Sequence, residues 1–480
     1  MKKLLTEIEK TRSRLEPGAG EREELRRQVV QYTEGFLDAI DTLPAFVPNA
    51  EKERLSGSPI QDEAGSLEEI IDLIHLDVDT PGINPASGGH LGYIPGGGIY
   101  SSSLGDYMAD ISNRYAGIFY ASPGAVRIEN ILVDWMADLV GYSKGYAGNL
   151  ASGGSIANLI AIVTARDAFD IKASEMDKMV IYATEHSHHC IDKAIRIAGL
   201  KEAVRRNIPM DGQYKMQVNN LEDQIKWDLQ AGLKPFMIIA SAGTTDVGAI
   251  DPLKEIGRIA SKYKLWYHID GAYGAFFALT KEGKRKLAGM ELSDSVVMDP
   301  HKGLFLPYGI GAVLIKDKVK LYNSHRYVAN YMQDALSPEE LSPADLSPEL
   351  TKHFRGLRMW LPLKLHGVKP FRECLEEKLL LAKYFYTEIQ KLGFEVGPEP
   401  ELSVIIFRYI PEKGEKYADH FNELLLAEIH KDGRVFISSS RLNGKFILHV
   451  AILSFRTHLS TVDLALQILK DQLEKIKFAQ

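Results

Sequence analysis

The chain is poor in cysteine: two in 480 residues, Cys190 and Cys374, far apart and without a CxxC spacing. That leaves no disulfide framework and no cysteine zinc site, and it fits a reducing compartment. Long apolar runs are missing as well. No stretch reaches the roughly 18 consecutive apolar residues that would read as a membrane span. The opening Met1-Lys2-Lys3-Leu4-Leu5-Thr6-Glu7 meets acids too early for a signal peptide's apolar core. A soluble, cytoplasmic protein is expected. There is no excess of basic charge either. The net charge is -7 and the pI is near 6.1, which argues against nucleic acid or an anionic membrane surface as the main partner. No internal repeat or low-complexity tract is visible, and no GxGxxG follows a strand-like run, which disfavours a dehydrogenase.

What is present is enough apolar residue, 45% of the chain, to bury a large core in more than one domain. Residues 1–45 read as helix, with Val29, Val30, Tyr32, Phe36, Leu37 and Ile40 near helical spacing on a face that would pack on another domain or subunit. Residues 80–124 are rich in glycine and tyrosine, a composition that suits irregular turns shaped around a ligand or partner. From about 150 to 317, amphipathic stretches (159–168, 191–200, 221–230, 253–262) alternate with short apolar runs (179–182, 236–239, 265–269, 295–298, 312–315). Such alternation predicts an α/β domain whose mainly parallel sheet has helices on both faces. Residues 326–350, with Pro338, Pro343 and Pro348 among acids, read as a long mobile loop. The segment 361–480 reads as a smaller α+β domain, with helices over 374–392 and 418–431 and strands over 403–409 and 446–452.

The chemistry sits at strand ends, where ligands bind in such sheets. Lys302, in Asp299-Pro300-His301-Lys302-Gly303, falls on a tight connection between two apolar runs. Its head either snorkels to solvent or works in a dry pocket, where desolvation would lower the amine's pKa for Schiff-base chemistry. Ser152-Gly153-Gly154-Ser155 leads into a helix and offers free N–H groups to a phosphate, or simply a serine cap. His186, His188 and His189 invite a metal, but no carboxylate or cysteine stands at a spacing that would complete a zinc site, so no metal is expected. A flat imidazole there can instead stack on a ring. Gly243-Thr244-Thr245 follows another strand, and Asp270 ends the run 265–269 before small Gly271 and Ala272. That acid either approaches a flat cation or caps a turn.

An amine, a strand-end carboxylate, phosphate donors and a flat group over a ring are the parts a pyridoxal phosphate enzyme requires. From about residue 21 onward the chain resembles the group II pyridoxal-dependent amino-acid decarboxylases, relatives of aromatic-amino-acid decarboxylase. The resemblance rests on His90 through Pro95, Ala121-Ser122-Pro123, His268-Ile269-Asp270, Asp299-Pro300-His301-Lys302 and Phe354-Arg355-Gly356-Leu357-Arg358-Met359-Trp360. It implies the pyridoxal phosphate transferase-like fold of the aspartate aminotransferase type: a helical segment 1–85 packing on a dimer partner, a large cofactor domain 86–360 and a small α+β domain 361–480. It implies, too, that Lys302 forms the Schiff base with pyridoxal 5'-phosphate and that Asp270 pairs with the pyridine nitrogen. By the same resemblance His188, with His186 as the fallback, stacks on the ring. Gly154, Ser155 and His301 hold the phosphate, while Thr244 and Ala272 support the ring. His90, Tyr93 and Thr351 lie toward the substrate, and Tyr331 protonates the carbanion left by carbon dioxide. A homodimer with sites at the subunit interface is implied.

The expected reaction is conversion of an L-amino acid, aromatic by resemblance, to its amine and carbon dioxide. Decarboxylation of an acidic or other amino acid, or an aldehyde synthase of the same family, are the alternatives, and Tyr331 argues against the last. Three positions depart from the family pattern. Gly117 stands where aromatic-amino-acid members have a pocket phenylalanine, His449 stands where arginine is common, and Thr351 offers a hydroxyl that accompanies phenolic substrates in some relatives.

Overall fold

Apolar runs bounded by glycine, proline and polar residues become the strands of a central sheet. In the computed structural model, which describes residues 1–12, 15–48, 54–326 and 340–479, these strands are β1 (Ala147–Ala151), β2 (Met179–Ala183), β3 (Val204–Asn207), β4 (Lys234–Ser241), β5 (Trp266–Asp270), β6 (Ser295–Met298) and β7 (Gly311–Ile315). They lie in the order β1-β7-β6-β5-β4-β2-β3. All pairings from β3 to β6 are parallel, and β7 runs antiparallel to both of its neighbours. The reversal follows from the connection 299–310, which holds only the helical turn Pro300–Gly303 and no helix long enough to carry a crossover. Successive side chains of each strand enter opposite layers. Tyr182, Ile238 and Ile269 pack with Met136 and Ile256, whereas Ile181, Ile239 and Trp266 pack with Ile160 and Ile191. Burial on both faces is why these strands read as unbroken apolar runs.

Two strands carry no such signal. β1 is Ala-Gly-Asn-Leu-Ala, without a β-branched residue, yet every residue of it is buried. A Cβ at Gly148 would lie 2.7 Å from the Val313 carbonyl oxygen, so close packing against β7 selects the residue there. β3 is an edge strand whose Arg205 and Arg206 break any apolar pattern.

The N-terminal region, expected as one helix, is two, Lys2–Arg12 and Ala19–Ala39, the second starting just after Pro17-Gly18. The tyrosine-rich stretch expected to be irregular contains the helix Tyr100–Ser112. Its buried stripe is made of small residues, Ser101, Ser102, Gly105 and Ala109, so hydrophobic periodicity does not reveal it. Small size is what the contact needs, because a Cβ at Gly105 would sit 2.7 Å from the Leu357 carbonyl oxygen of the helix Arg355–His366.

The C-terminal segment folds as an antiparallel sheet of β8 (Glu395–Val396), β9 (Val404–Arg408), β10 (Ser438–Leu442) and β11 (Lys445–Ala451), in the order β8-β9-β11-β10. Helices Lys369–Lys391, Ala418–Asp432 and Leu459–Ala479 pack on it around Phe385, Phe407, Phe421 and Leu469. The described end of the proline-rich loop, 340–350, is packed rather than loose, with Pro343 and Leu346 buried. Just beyond it the buried Lys352 ammonium donates to Glu129 Oε1 (2.6 Å) and Asn149 Oδ1 (3.0 Å), while Asn149 Nδ2 donates to the Pro343 carbonyl (3.0 Å). The ion pair satisfies both buried charges and pins this segment to β1. Among the described residues no helix is long and apolar enough to cross a membrane.

Candidate active site

The ends of β1, β2, β4, β5 and β6 deliver their following turns to one edge of the sheet, around a cavity of about 310 Å3. Lys302 lines it from the turn Pro300–Gly303. Its Nζ lies 3.2 Å from Asp299 Oδ2, and the side chain is 20% exposed, so it is not a snorkelling surface lysine. Burial alone would pull the amine's pKa down, as a dry pocket predicts. The Asp299 and Asp270 carboxylates outweigh it, and the pKa stands above the ordinary lysine value. The sequence pattern did not reveal that second carboxylate's part, although Asp299 belongs to the same motif.

Asp270, at the end of β5, accepts a hydrogen bond from the Ala272 N–H through Oδ1 (3.1 Å). It does cap its turn, and it also lines the cavity together with Ala272. The helix Gly154–Ala168 begins at the cavity wall. Its first internal bond runs from Ala157 N–H to the Gly153 carbonyl (3.1 Å), which leaves the earlier N–H groups of Gly154, Ser155 and Ile156 without helical partners. The cap position is Gly153 and no side chain caps it, so Ser155 is not a capping serine. A Cβ on Gly154 would lie 2.8 Å from Asp299 Oδ2; only glycine leaves that concave turn open. A concave set of N–H groups at the positive end of a helix is an anion cradle.

His188 receives the Cys190 N–H on Nδ1 (3.2 Å), so its proton is on Nε2. Burial keeps it neutral, lowering its pKa against the pull of Asp270. His186 also lines the cavity but is stacked on Tyr214, with ring centroids 5.4 Å apart and planes at 16°. Among the described residues no group of three or more histidine, cysteine or acidic side chains is placed to hold a metal ion. His301 donates from Nδ1 to the Ile310 carbonyl and turns Nε2 to within 3.7 Å of Asp299 Oδ2. Thr244 is buried in the wall, its hydroxyl accepting from Ala249 N–H (3.1 Å).

The remaining expected residues are not in this wall. His90 is buried against Phe436, ring centroids 5.7 Å apart. Tyr93, at φ +55°, sends its N–H to Ser438 Oγ (3.2 Å) with its ring exposed. Thr351 is exposed beside buried Lys352. Gly117 backs onto a carbonyl rather than opening a pocket, since a Cβ there would be 2.4 Å from the Leu350 oxygen. His449 stands behind the wall and donates from Nε2 to the carbonyl of Thr245 (3.0 Å), itself a lining residue. Tyr331 lies outside the described residues. Conversely, Asn158, Cys190, Ser241 and Tyr273 line the cavity without a sequence signal that marks them as site residues.

Residues 48–410 match the pyridoxal-dependent decarboxylase conserved domain. The chain belongs to this family. It is 32% identical to an aromatic-L-amino-acid decarboxylase of Bacillus atrophaeus over 384 residues, 79% of each chain. It is 27% identical to a phenylacetaldehyde synthase of Arabidopsis thaliana over 441 residues, 88% of this chain and 90% of the relative. The fold is that of the Oryza sativa TDC solved with PLP and tryptamine, with a TM-score of 0.90 at 24% identity, covering 96% of this chain and 99% of that one. This decarboxylase is thus a pyridoxal-phosphate-dependent carboxy-lyase. Its cavity fits that cofactor: one amine, two strand-end carboxylates, a glycine-lined anion cradle and two buried polar atoms without protein partners among the described residues, Asp299 Oδ1 and His186 Nδ1.

Because its pKa is raised, Lys302 is an ammonium at neutral pH, and if it is the amine that holds the cofactor it would first have to lose a proton. Uptake of pyridoxal phosphate by cofactor-free decarboxylase is therefore expected to quicken as pH rises toward that pKa. Asp299→Asn removes the carboxylate that raises it most, so the fast limb should move to lower pH, with several-fold faster uptake at pH 7. Stopped-flow absorbance on rapid mixing measures it; an unshifted profile would show that Asp299 does not control the amine.

Proposed function

We propose that this enzyme converts an aromatic L-amino acid to its amine and carbon dioxide. The observation that carries the proposal is the meeting of Lys302, Asp270 and the Gly153-Gly154 turn around one cavity. Bound pyridoxal phosphate supplies a conjugated sink for the electron pair left when the carboxylate departs. In our reading Lys302 Nζ would hold the cofactor through its carbonyl carbon, the carbonyl oxygen leaving as water, and the Asp270 carboxylate would favour the protonated form of the ring nitrogen by its charge. His188, neutral and flat, covers one ring face. We favour it over His186 because it shares the field of Asp270 and Lys302, whereas His186 already has Tyr214 on one face. N–H groups of Gly154 and Ser155, with His301, hold the phosphate, and Thr244 and Ala272 support the ring. The Tyr331 hydroxyl delivers a proton to the substrate's α-carbon.

The aromatic substrate is taken from the names of the relatives. The homodimer is supported by apolar side chains left exposed on the single chain: Leu25, Val29 and Val30 on the helix Ala19–Ala39, and Tyr107, Met108 and Ile111 on Tyr100–Ser112. In that dimer residues 1–85 pack on the second subunit, 86–360 hold the cofactor and 361–480 form the small domain. His90, Tyr93 and Thr351 lie on the substrate side at the subunit interface. A cytoplasmic location accords with the two free cysteines.

A panel measuring carbon dioxide and amine from the twenty amino acids and L-DOPA tests the substrate class. Release from an acidic or aliphatic substrate alone would replace the aromatic assignment. The second reading, an aldehyde synthase, has its support in the phenylacetaldehyde synthase relative. Tyr331→Phe separates the two, because it deletes only the hydroxyl. Amine yield is expected to fall by about 10²-fold, the range of a lost general acid, while dissolved oxygen takes the two electrons instead and aldehyde, ammonia and peroxide rise. Unchanged amine with no peroxide would assign the proton to another group, and native enzyme already producing aldehyde and peroxide would establish the second reading.

A further inference from the structure

Behind Asp270 the buried face of β5 carries a chain of polar side chains that no role above uses. Trp266, His268 and Asp270 alternate onto one face of the strand, and the β5–β6 register sets Ser295 directly beside His268. Asn158 reaches in from the first turns of the helix Gly154–Ala168. Trp266, His268, Ser295 and Asn158 are each at most 1% exposed.

The direction of every bond follows from what each group can do. Indole Nε1–H only donates, and it lies 2.8 Å from Ser295 Oγ. The Ser295 hydrogen is then free for His268 Nδ1, 2.8 Å away. Asn158 Oδ1 only accepts, so His268 Nε2, 2.7 Å from it, holds the ring's proton. With its oxygen so engaged, Asn158 turns Nδ2 toward Asp270 Oδ2 at 3.5 Å, the long end of a hydrogen bond, and toward Cys190 Sγ at 3.5 Å. The flipped amide would set oxygen against carboxylate. Burial keeps His268 neutral, its pKa drawn down to about 4 against the pull of Asp270.

We infer that Trp266, Ser295, His268 and Asn158 form a one-way hydrogen-bond relay whose donors all point at Asp270, and that His268 and Asn158 are positioning residues that hold and orient this carboxylate toward the cofactor's ring nitrogen. The inference rests on the role proposed for Asp270. Donors aimed at a carboxylate favour its charged form, and bonds polarised in series within a buried site reinforce one another.

Two measurements test it. Side-chain 15N NMR of cofactor-free native protein, with His268 assigned through His268→Gln, should show the Nε2–H tautomer, unprotonated from pH 6 to 8. An Nδ1–H tautomer would reverse the relay and overturn the inference. This measurement needs neither cofactor nor a stable variant, so it stands even if native protein takes up no pyridoxal phosphate, a result that would instead refute the proposed function. In the loaded enzyme, Asn158→Leu and His268→Leu should each lower kcat about tenfold with KM within twofold, and the ring nitrogen of 15N-labelled pyridoxal phosphate should lose its proton at lower pH. His268→Gln, whose amide can still donate to Asn158, should recover most of the loss. Leucine fills the buried space as well as glutamine does, so equal activity of the two His268 variants, or an unmoved ring-nitrogen titration, would reduce the relay to packing.

Discussion

Lys302→Ala is expected to abolish turnover while leaving the fold intact. Its Nζ is the amine that lines the cavity with Asp299 and Asp270, and no other lysine lines that wall among the described residues. The loss should be on the order of 10³-fold or more, about 4 kcal/mol of transition-state stabilisation. Borohydride reduction followed by peptide mapping reports the bond itself. In native enzyme the cofactor should be fixed to the peptide that contains Lys302, and in the variant to none. Residual colour would not count against the assignment, since the anion cradle at Gly154 and Ser155 remains and can hold free cofactor. A reducible lysine adduct persisting in Lys302→Ala would transfer the role to another residue.

Asp270→Asn should separate binding from chemistry. The substitution keeps the shape and an oxygen to accept from Ala272 N–H, and it removes the negative charge. Without that charge the ring nitrogen loses the partner that favours its protonated form, and the electron sink weakens. Turnover is expected to fall by about 10²- to 10³-fold, the range seen when one preorganised electrostatic group is removed. Cofactor content should change little, because the residues proposed to hold the phosphate lie on another element. Near-normal kcat in Asp270→Asn would end the role proposed for it. Asp270→Glu, with the charge kept but displaced, should fall between the two and show how far position matters beyond charge.

Much of this site was legible before any fold was known. An acid that closes a largely apolar run, here Leu265–Ile269 with one histidine in it, falls at a buried strand's end, as Asp270 does. Glycines before an amphipathic stretch must lie at a helix start, as Gly153 and Gly154 do. The identity of the motif around Lys302 carried the family. Less legible were features whose cause is packing rather than period. β1 has the composition of a turn and is a strand by its pairing with β7, with Gly148 packed too closely against β7 and Val133 of the helix Pro123–Val140 to carry a side chain. The helix Tyr100–Ser112 hides its buried stripe in serine, glycine and alanine. Asn158 reads as one polar residue in a helix start, yet its amide ends a chain of four buried partners.

The alternation of strands and helices, and the chemical groups that follow each strand, are written into the chain, because periodicity and turn chemistry are local. The sign of the Lys302 shift came from the folded arrangement alone. Burial and two carboxylates oppose one another there, and their balance depends on how near the ends of β5 and β6 bring Asp270 and Asp299 to one amine. The folded arrangement also decided that His186 lies on Tyr214 and that His90, Tyr93 and Thr351 stand outside the cavity of their own chain. The direction of the bonds behind Asp270 was settled in the same way, by the pairing of His268 with Ser295 across two strands. Register and docking join residues 27 positions apart in that pair, and over a hundred apart for Asn158 and Asp270, and no local pattern encodes which of them will meet.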